Sequence, residues 1–252
     1  NITYSRFYDW NQYKPRFSNS WDVYRNSITH RFGYLNWGLE AIGQFQSWEE
    51  IASYPIDNDR QGNKTIRPGD IKYKDVNKDG VINQNDQVAL DFGTAFPSLN
   101  YSFSLGLEWK GIGINATFQG AGNQIKNLRY VDGVWGALSD NRNMSQEYYD
   151  NCYDVAGANA LYPRLSTENV ANNAQESTLW YRNVSWFKMR DCELYYRFPA
   201  KLVQHAKMTD AKVFVKGQNL LSFDNISAMD AENLNTGYPV MKAVTFGLSV
   251  VF

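Results

Sequence analysis

Residues 243–252 alternate large apolar side chains with small or polar ones and end on Phe252. Because a β-strand points successive side chains to opposite faces, this pattern predicts a strand with one apolar face. In a transmembrane barrel that face contacts lipid, and the closing strand of an outer-membrane barrel has this form. A strand of a soluble β-sandwich alternates in the same way, so this segment alone leaves both architectures open.

A β-hairpin is predicted between Leu99 and Phe118. Alternate residues from Leu99 to Trp109 are apolar, Lys110-Gly111 predicts a tight turn, and alternate residues from Ile112 to Phe118 are apolar again. The opposite face is small and polar, with Glu108 as its one charge. Such a face suits the water-filled interior of a large barrel better than the dry gap between two packed sheets.

Further strands alternate with long polar segments. The apolar parity changes within residues 186–198, which predicts a β-bulge near Asp191, and another strand is predicted for residues 211–220. Long external loops are predicted for about 120–182 and 222–242, whereas the other links are short. Outer-membrane barrels show this asymmetry between external loops and periplasmic turns. The expected fold is therefore an all-β, antiparallel transmembrane β-barrel, with about six strands in this chain.

Residues 75–86 match the calcium-binding loop of an EF-hand in the spacing of their oxygen ligands. Gly80 stands where that loop turns sharply. The predicted ligands are five side chains and one backbone carbonyl, that of Val81, and they belong to Asp75, Asn77, Asp79, Val81, Asn83 and Asp86. Asp86 replaces the usual Glu and reaches less far, so a modest affinity is expected. The alternative is an Asx-rich turn that binds no metal.

The charge and the aromatic content of the chain indicate which partners to expect. The 252 residues carry a formal net charge of −1 and no basic stripe, which argues against a nucleic-acid partner. Aromatic residues make up 15% of the chain, which suits the aromatic girdles of a membrane barrel and also loops that stack on carbohydrate. The candidate substrate-binding residues in or beside the first long loop, whose rings would stack on sugars or pack the loop, are Trp135, Tyr148, Tyr149 and Trp180.

No arrangement of residues predicts catalysis, so the chain is not expected to be an enzyme. His30 and His205 lie in unrelated segments, and no Gly-x-Ser-x-Gly motif occurs. Cys152 and Cys192 lack the spacing of a metal or redox site, and both free thiols and a disulfide stay open. The chain begins at Asn1 rather than Met, which suggests a mature, processed or truncated polypeptide.

Four ordered motifs resemble the C-terminal part of the SusC-like TonB-dependent transporters of Bacteroidetes. They lie at residues 43–55, 69–83, 162–166 and 215–221, and a final Phe252 follows them. The resemblance implies that residues 1–252 are the C-terminal segment of a barrel of about twenty-two strands. The plug domain and the TonB-interacting segment of the family have no counterpart in these residues.

The same resemblance implies a function in the outer membrane. It is the import of glycans, oligosaccharides or peptides, energised by the TonB system through the missing N-terminal region, with a SusD-like surface lipoprotein as a lid. Outer-membrane lipid and a glycan or peptide substrate are the other implied partners, and calcium would be structural. Two alternatives remain open: a soluble calcium-dependent carbohydrate-binding β-sandwich, and a glycosidase, which would need two carboxylates facing one cleft.

Overall fold

Antiparallel strands dominate the computed structural model, which describes residues 2–4, 19–27, 35–90, 96–131, 133–136, 138–139, 141–233 and 238–252. The strands of the described residues are β1 (Ile2–Tyr4), β2 (Asn36–Gly38), β3 (Ala41–Gln44), β4 (Ile71–Tyr73), β5 (Val88–Leu90), β6 (Leu99–Trp109), β7 (Ile112–Asn127), β8 (Tyr181–Arg197), β9 (Asp210–Gln218), β10 (Ser222–Asp224) and β11 (Ala243–Val251). The α-helices are α1 (Ser20–Asn26), α2 (Trp48–Ser53), α3 (Gln146–Asn151), α4 (Tyr153–Ala156) and α5 (Ala200–His205). None of the helices in the described part combines the length and the hydropathy that a membrane-crossing helix needs.

The main sheet has seven strands in the order β1-β6-β7-β8-β9-β11, with β10 paired to β8. Strands β6, β7 and β8 contain 11, 16 and 17 residues. Because a tilted transmembrane strand needs about 9–11 residues, these three are long enough to cross a bilayer. The predicted all-β antiparallel fold with about six strands is confirmed. Two small sheets, β2 with β5 and β3 with β4, lie outside the main one.

The predicted hairpin is formed by β6 and β7. Lys110 and Gly111 have φ values of 52° and 86°, the left-handed pair that a two-residue hairpin turn requires. The register pairs Trp109 with Ile112, so the apolar residues of both strands lie on one face, as predicted.

The predicted bulge lies in β8. Thr117 of β7 pairs with Asp191, but its neighbour Phe118 pairs with Met189, which leaves Arg190 as the extra residue. This insertion places Met189 and Cys192 on the same face of the sheet, although their numbers differ in parity.

One face of the main sheet is apolar and exposed. Leu105 is 60% exposed, Leu107 74% and Phe246 77%, and no second sheet covers them within the described residues. A soluble sandwich would bury such a face against another sheet. A lipid-facing surface needs no such cover, so this face favours the barrel over the sandwich alternative.

The opposite face of the sheet is polar and carries paired charges. The Lys212 ammonium lies 2.9 Å from Glu193, and the Lys216 ammonium lies 3.1 Å from Asp191. All four residues belong to β8 and β9, and they contact each other across the two strands. Opposite charges in neighbouring strands suit a wall that faces water.

The two long loops begin later than the sequence predicted. Strand β7 continues to Asn127, so the first loop covers residues 128–180 rather than 120–182, because Ala121 and the following residues still pair with β8. Strand β10 takes residues 222–224, so the second loop covers 225–242 rather than 222–242. The residues at these strand ends have small or polar side chains, so their sequence resembles a loop. Their backbone groups are nevertheless paired with neighbouring strands.

The buried core lies at the end of the sheet where the long loops emerge. Residues 35–90 and 128–180, which we call the loop unit, supply three of the four hydrophobic clusters found in the described residues. The fourth cluster joins Ala121, Val184 and Trp186, near the ends of β7 and β8, to Ala231 of the second loop. The loops therefore form a folded layer at this end of the sheet.

Candidate functional site

Asp70 joins the two segments of the loop unit. Its carboxylate is fully buried and accepts hydrogen bonds of 2.8 Å from Arg164 Nε, from Asn173 Nδ2 and from the backbone N–H of Arg67. Burial raises the pKa of Asp70, and the Arg164 guanidinium opposes that shift. A buried pair of this kind costs several kcal/mol to break from one side, so it fixes how the segments meet.

Buried asparagines complete the same junction. Asn58 Nδ2 donates to the carbonyl of Ile71 (2.8 Å) and to Asn172 Oδ1 (2.9 Å), and the Tyr73 hydroxyl donates to the Asn172 carbonyl (2.8 Å). The backbone N–H of Ile71 donates to Asn173 Oδ1. Side chains of both segments, Asn58 from the first and Asn172 and Asn173 from the second, thus satisfy the free edge of β4, which stiffens the loop unit.

The predicted calcium loop brings its three carboxylates together. One oxygen from each of Asp75, Asp79 and Asp86 lies within 4.8 Å of the others. Asp86 is fully buried and accepts backbone hydrogen bonds from Val76 and Asn83. The backbone N–H of Val81 and then the Asn77 side chain lower the pKa of Asp79, which keeps this carboxylate ionised.

The predicted amide ligands border the same carboxylates. Asn77 Nδ2 lies 2.9 Å and Asn83 Nδ2 3.2 Å from Asp79 Oδ2. Asn83 Nδ2 also donates to the Val81 carbonyl at 3.1 Å. A half-turn of either amide would present its oxygen instead, because the two ends of an amide have the same shape. The predicted ligand residues are therefore neighbours in one cluster, and their role as calcium ligands stays a prediction.

Two of the predicted substrate-binding rings are core residues. Trp180 is fully buried, its indole N–H donates to the Asn173 carbonyl at 2.7 Å, and Tyr148 is 5% exposed. Both belong to the cluster at the centre of the first loop, where Tyr148 stacks on Tyr162. A ligand cannot reach these rings without opening the core. The prediction that they bind substrate is therefore wrong, and packing is their role.

The other two predicted rings are accessible. Tyr149 is 46% exposed on α3. Trp135 is partly buried against Trp180, with ring centroids 5.2 Å apart, and it lines a cleft. For these two residues a contact with substrate stays a prediction.

Two clefts open on the loop unit, and sequence reasoning did not find them. The first has a volume of about 550 Å³ and lies between the segment after α2 and the first loop, with Arg60, Lys64, Arg67, Glu168 and Asn172 in its lining. The second has a volume of about 600 Å³ and is lined by Arg129, Tyr130, Trp135, Arg142 and Asn143. Asn169 lines both. Their volumes are typical of ligand-binding sites.

A charged cluster attaches the second loop to the polar face of β8. The Lys188 ammonium lies 2.9 Å from Asp230 and 3.2 Å from Glu232, and Arg190 also pairs with Glu232. Lys188 is 3% exposed. The rings of Trp186 lie within 5.7 Å of both cations. This cluster holds residues 230–232 against the strand.

Both cysteines are free. Cys152 is buried in the first loop and Cys192 lies on the apolar face of β8. The disulfide that the sequence left open is therefore not formed.

Known proteins resemble this chain in sequence and in fold. No protein-family model matches the chain. TonB-dependent receptor P26 of Formosa agariphila is 26% identical over 234 residues, which cover 85% of this chain and 22% of that receptor. TonB-dependent receptor P3 of the same organism is 24% identical over 234 residues, which cover 84% and 22%. The chain thus spans 22% of the length of these curated relatives.

Solved structures show the same fold. The RagAB peptide transporter superposes with a TM-score of 0.57 at 16% identity, covering 88% of this chain and 23% of that one. The RagAB peptide importer in its open-open state gives 0.56 at 19% identity, with the same coverage. The resemblance to SusC-like TonB-dependent transporters is confirmed. The matched proteins are described as receptors and as a peptide transporter.

Proposed function

We propose that the chain is the C-terminal barrel segment of a TonB-dependent importer of nutrients. The observation that carries this proposal is the main sheet itself, with an exposed apolar face, a charged opposite face and a folded loop unit at one end. Such a sheet is stable only when lipid covers the first face and further strands pair with its edges. The loop unit would then lie outside the cell.

The proposed cargo is a glycan, an oligosaccharide or a peptide, and a SusD-like lipoprotein would close over the loop unit. The clefts of about 550 and 600 Å³ offer space for such a ligand at the external end. A solved structure of similar fold is described as a peptide transporter, which supports a peptide as one candidate cargo.

Surface labelling tests the proposed topology in the intact transporter. Tyr149→Cys on the loop unit should react with a membrane-impermeant maleimide on whole cells, whereas Leu202→Cys on α5 should react only after the outer membrane is permeabilised. Both positions are exposed. The unsubstituted protein gives the background from Cys152 and Cys192. Labelling of Leu202→Cys alone on whole cells would reverse the orientation and contradict the proposal.

Uptake measurements test the energy source. Cells that carry the full-length transporter should accumulate its nutrient only when TonB is present. Uptake that is unchanged in a strain without TonB would overturn the import mechanism.

We further propose that residues 75–86 bind calcium as a structural ion. Three clustered carboxylates, two adjacent amides and the Val81 carbonyl supply hard oxygen ligands of the kind that calcium prefers. Bound calcium would replace the amide-to-carboxylate contacts at Asp79 and would balance the negative charges of Asp75, Asp79 and Asp86. It would stabilise the segment that leads through β5 towards β6.

Calorimetry on the full-length protein tests the calcium site. Calcium should bind to the unsubstituted protein, and binding should be lost in Asp75→Asn with Asp79→Asn. The matched control, Glu49→Gln with Asp150→Asn, removes the same charge from α2 and α3 and should bind normally. Absence of binding, or unchanged binding in the first variant, would leave an Asx-rich turn as the correct interpretation.

A further inference from the structure

The two clefts of the loop unit adjoin each other at Asn169, and we call them together the groove. Asn169 lines both clefts, so a ligand that spans this residue would reach into each. Amide side chains line both clefts, and those that do not bond to β4 are Gln61, Asn143, Asn169 and Gln175. Amides both donate and accept hydrogen bonds, as the hydroxyl groups of a sugar do.

The first cleft carries excess positive charge. Lys64 and Arg67 are exposed in its lining and form no ion pair with any residue that the structure describes. Arg60 donates only through Nε, to the Ile82 carbonyl at 3.0 Å. Arg164 is the fourth cation of the lining, and Asp70 balances its charge.

The acidic residues of this cleft neutralise those cations only in part. Asp59 directs both carboxylate oxygens at its own loop and accepts from the Thr65 hydroxyl at 2.6 Å and from three backbone N–H groups. These bonds lower the pKa of Asp59 against the opposing effect of burial, which is the largest single influence, so this carboxylate keeps its charge. Glu168 is the other acidic residue of the lining. Three cations therefore face two carboxylates, which leaves one positive charge in excess.

The second cleft offers an aromatic surface. Tyr130 is 63% exposed there, beside Trp135. The Arg129 guanidinium lies over the Tyr130 ring, 4.6 Å from its centroid, and pairs with Glu176, which fixes the ring in place. An exposed and immobilised ring beside amide groups can stack on the apolar face of a sugar.

We propose that this groove binds an acidic oligosaccharide. Its carboxylate or sulfate groups would bind Arg60, Lys64 and Arg67, and a neighbouring sugar ring would stack on Tyr130. The inference deepens the proposed function and depends on it only for the role of the ligand as cargo. A peptide fits less well, because peptides are usually held by an open strand edge or by apolar pockets for their side chains. The side chains of Asn58, Asn172 and Asn173 already occupy the edge of β4 in this groove.

Binding measurements on the purified full-length transporter in detergent test the proposal, with three probes of four units each. Tetragalacturonate should bind at least tenfold more tightly than maltotetraose, which lacks the acidic groups, and than tetraglutamate, which lacks the sugar rings. Added salt should weaken tetragalacturonate binding, since exposed charges are screened. Equal affinity for the acidic and neutral sugars, or tighter binding of tetraglutamate, would overturn the proposal.

Single substitutions locate the site. Lys64→Gln and Arg67→Gln should each weaken tetragalacturonate binding about tenfold, the scale of one charge-assisted hydrogen bond. Lys201→Gln on α5 makes the same charge change at the other end of the sheet and should have no effect. Tyr130→Ala should weaken the acidic and the neutral sugar equally. A loss in the Lys201 control as large as that in the groove variants would also overturn the proposal.

The groove assignment and the import mechanism can each be contradicted without the other. If the transporter binds tetragalacturonate but uptake of its nutrient does not need TonB, the groove stands and the import mechanism is wrong. If uptake needs TonB but the groove variants bind normally, the import mechanism stands and the groove assignment is wrong.

Discussion

The main sheet and the loop unit use the same apolar residue types in opposite ways. In the sheet, Leu107 and Phe246 are more than 70% exposed, whereas in the loop unit Phe45, Ile71 and Trp180 are fully buried. The sheet has its polar groups on one face and its apolar groups on the other. The loop unit has an apolar interior crossed by buried amides. Each region is therefore built for a different solvent, lipid for the sheet and water for the loop unit.

The two regions also differ in how their backbone N–H and C=O groups form hydrogen bonds. Strands β6 to β9 pair with their neighbours mainly through backbone hydrogen bonds, with register shifts only between β7 and β8. In the loop unit, β4 relies on side chains such as Asn58 and Asn173. The stability of the loop unit should thus depend on individual side chains, and the stability of the sheet on the alternation of apolar and polar residues as a whole.

The largest effect is expected for Trp180→Ala. This change removes a fully buried ring and leaves the Asn173 carbonyl without its donor, so the loop unit should lose about 3–5 kcal/mol of stability. Hydrogen exchange of residues 128–180 in the full-length protein measures this loss. Tyr149→Ala removes an exposed ring and should cost less than about 0.5 kcal/mol. Equal costs would mean that the loop unit has no core.

Charge insertion sharpens the assignment of the two sheet faces. Phe103→Arg or Ile114→Arg should cost about 2–4 kcal/mol near the middle of the bilayer, because each would place a cation in lipid. Ser104→Arg on the polar face should be tolerated. Denaturant unfolding of the full-length protein in lipid vesicles gives these values. Similar costs on both faces would point to a packed sandwich core instead.

Close packing within the sheet is tested at Gly113. A Cβ at this position would overlap the ring of Tyr195, which crosses the glycine on the neighbouring strand. Gly113→Ala should therefore cost about 1–3 kcal/mol, and adding Tyr195→Ala should recover part of it. Gly122→Ala is a control, since the nearest atom to its Cβ would be 3.8 Å away. Thermal unfolding of the three variants measures these losses of stability. An equal loss at both glycines would refute the close contact between Gly113 and Tyr195.

The smallest effect is expected at Asp230, where the second loop contacts the sheet. Burial would raise the pKa of this carboxyl, but hydrogen bonds from Lys188 and from the backbone of Val240 and Glu232 outweigh burial and lower it to about 2. A lowered folded-state pKa stabilises the protein above the unfolded value of about 3.9, and the contribution disappears as the pH falls towards 2. After allowance for solvent screening, we expect about 1–2 kcal/mol.

Hydrogen exchange of residues 225–233 between pH 4 and pH 2 measures this contribution. Protection should fall across that range in the unsubstituted protein and should be low throughout in Asp230→Asn. Asp224→Asn, an exposed neighbour on β10, should keep the pH dependence. A profile that Asp230→Asn leaves unchanged would show that the cluster does not hold the loop.

Local patterns predicted the sheet well. The hairpin turn, the bulge and the terminal strand each depend on residues within about ten positions of one another, where the two-residue period of a strand is directly visible. The calcium-type loop was visible for the same reason, because its six ligand residues are confined to residues 75–86. The C-terminal end of β7 was missed because glycine, alanine and asparagine there resemble a loop.

The loop unit could not be predicted in this way. Asp70 meets Arg164 across 94 positions, and Asn58 meets Asn172 across 114. Each of these residues is polar and lies in a polar segment, so nothing nearby distinguishes a buried partner from a solvated one. The groove depends on the same long-range contacts, because its two walls come from different segments. For the same reason, the burial of Tyr148 and Trp180 followed from the fold and not from their neighbours.

The bulge at Arg190 has a genetic consequence. Because Arg190 is the one residue of this stretch without a pairing partner on β7, the loss of its codon would remove the bulge and leave both halves of β8 in their present register. The loss or gain of a codon further along the strand would instead move the residues beside it by one position and turn them to the opposite face of the sheet. Related genes should therefore tolerate the loss of this one codon more readily than a length change elsewhere in β8.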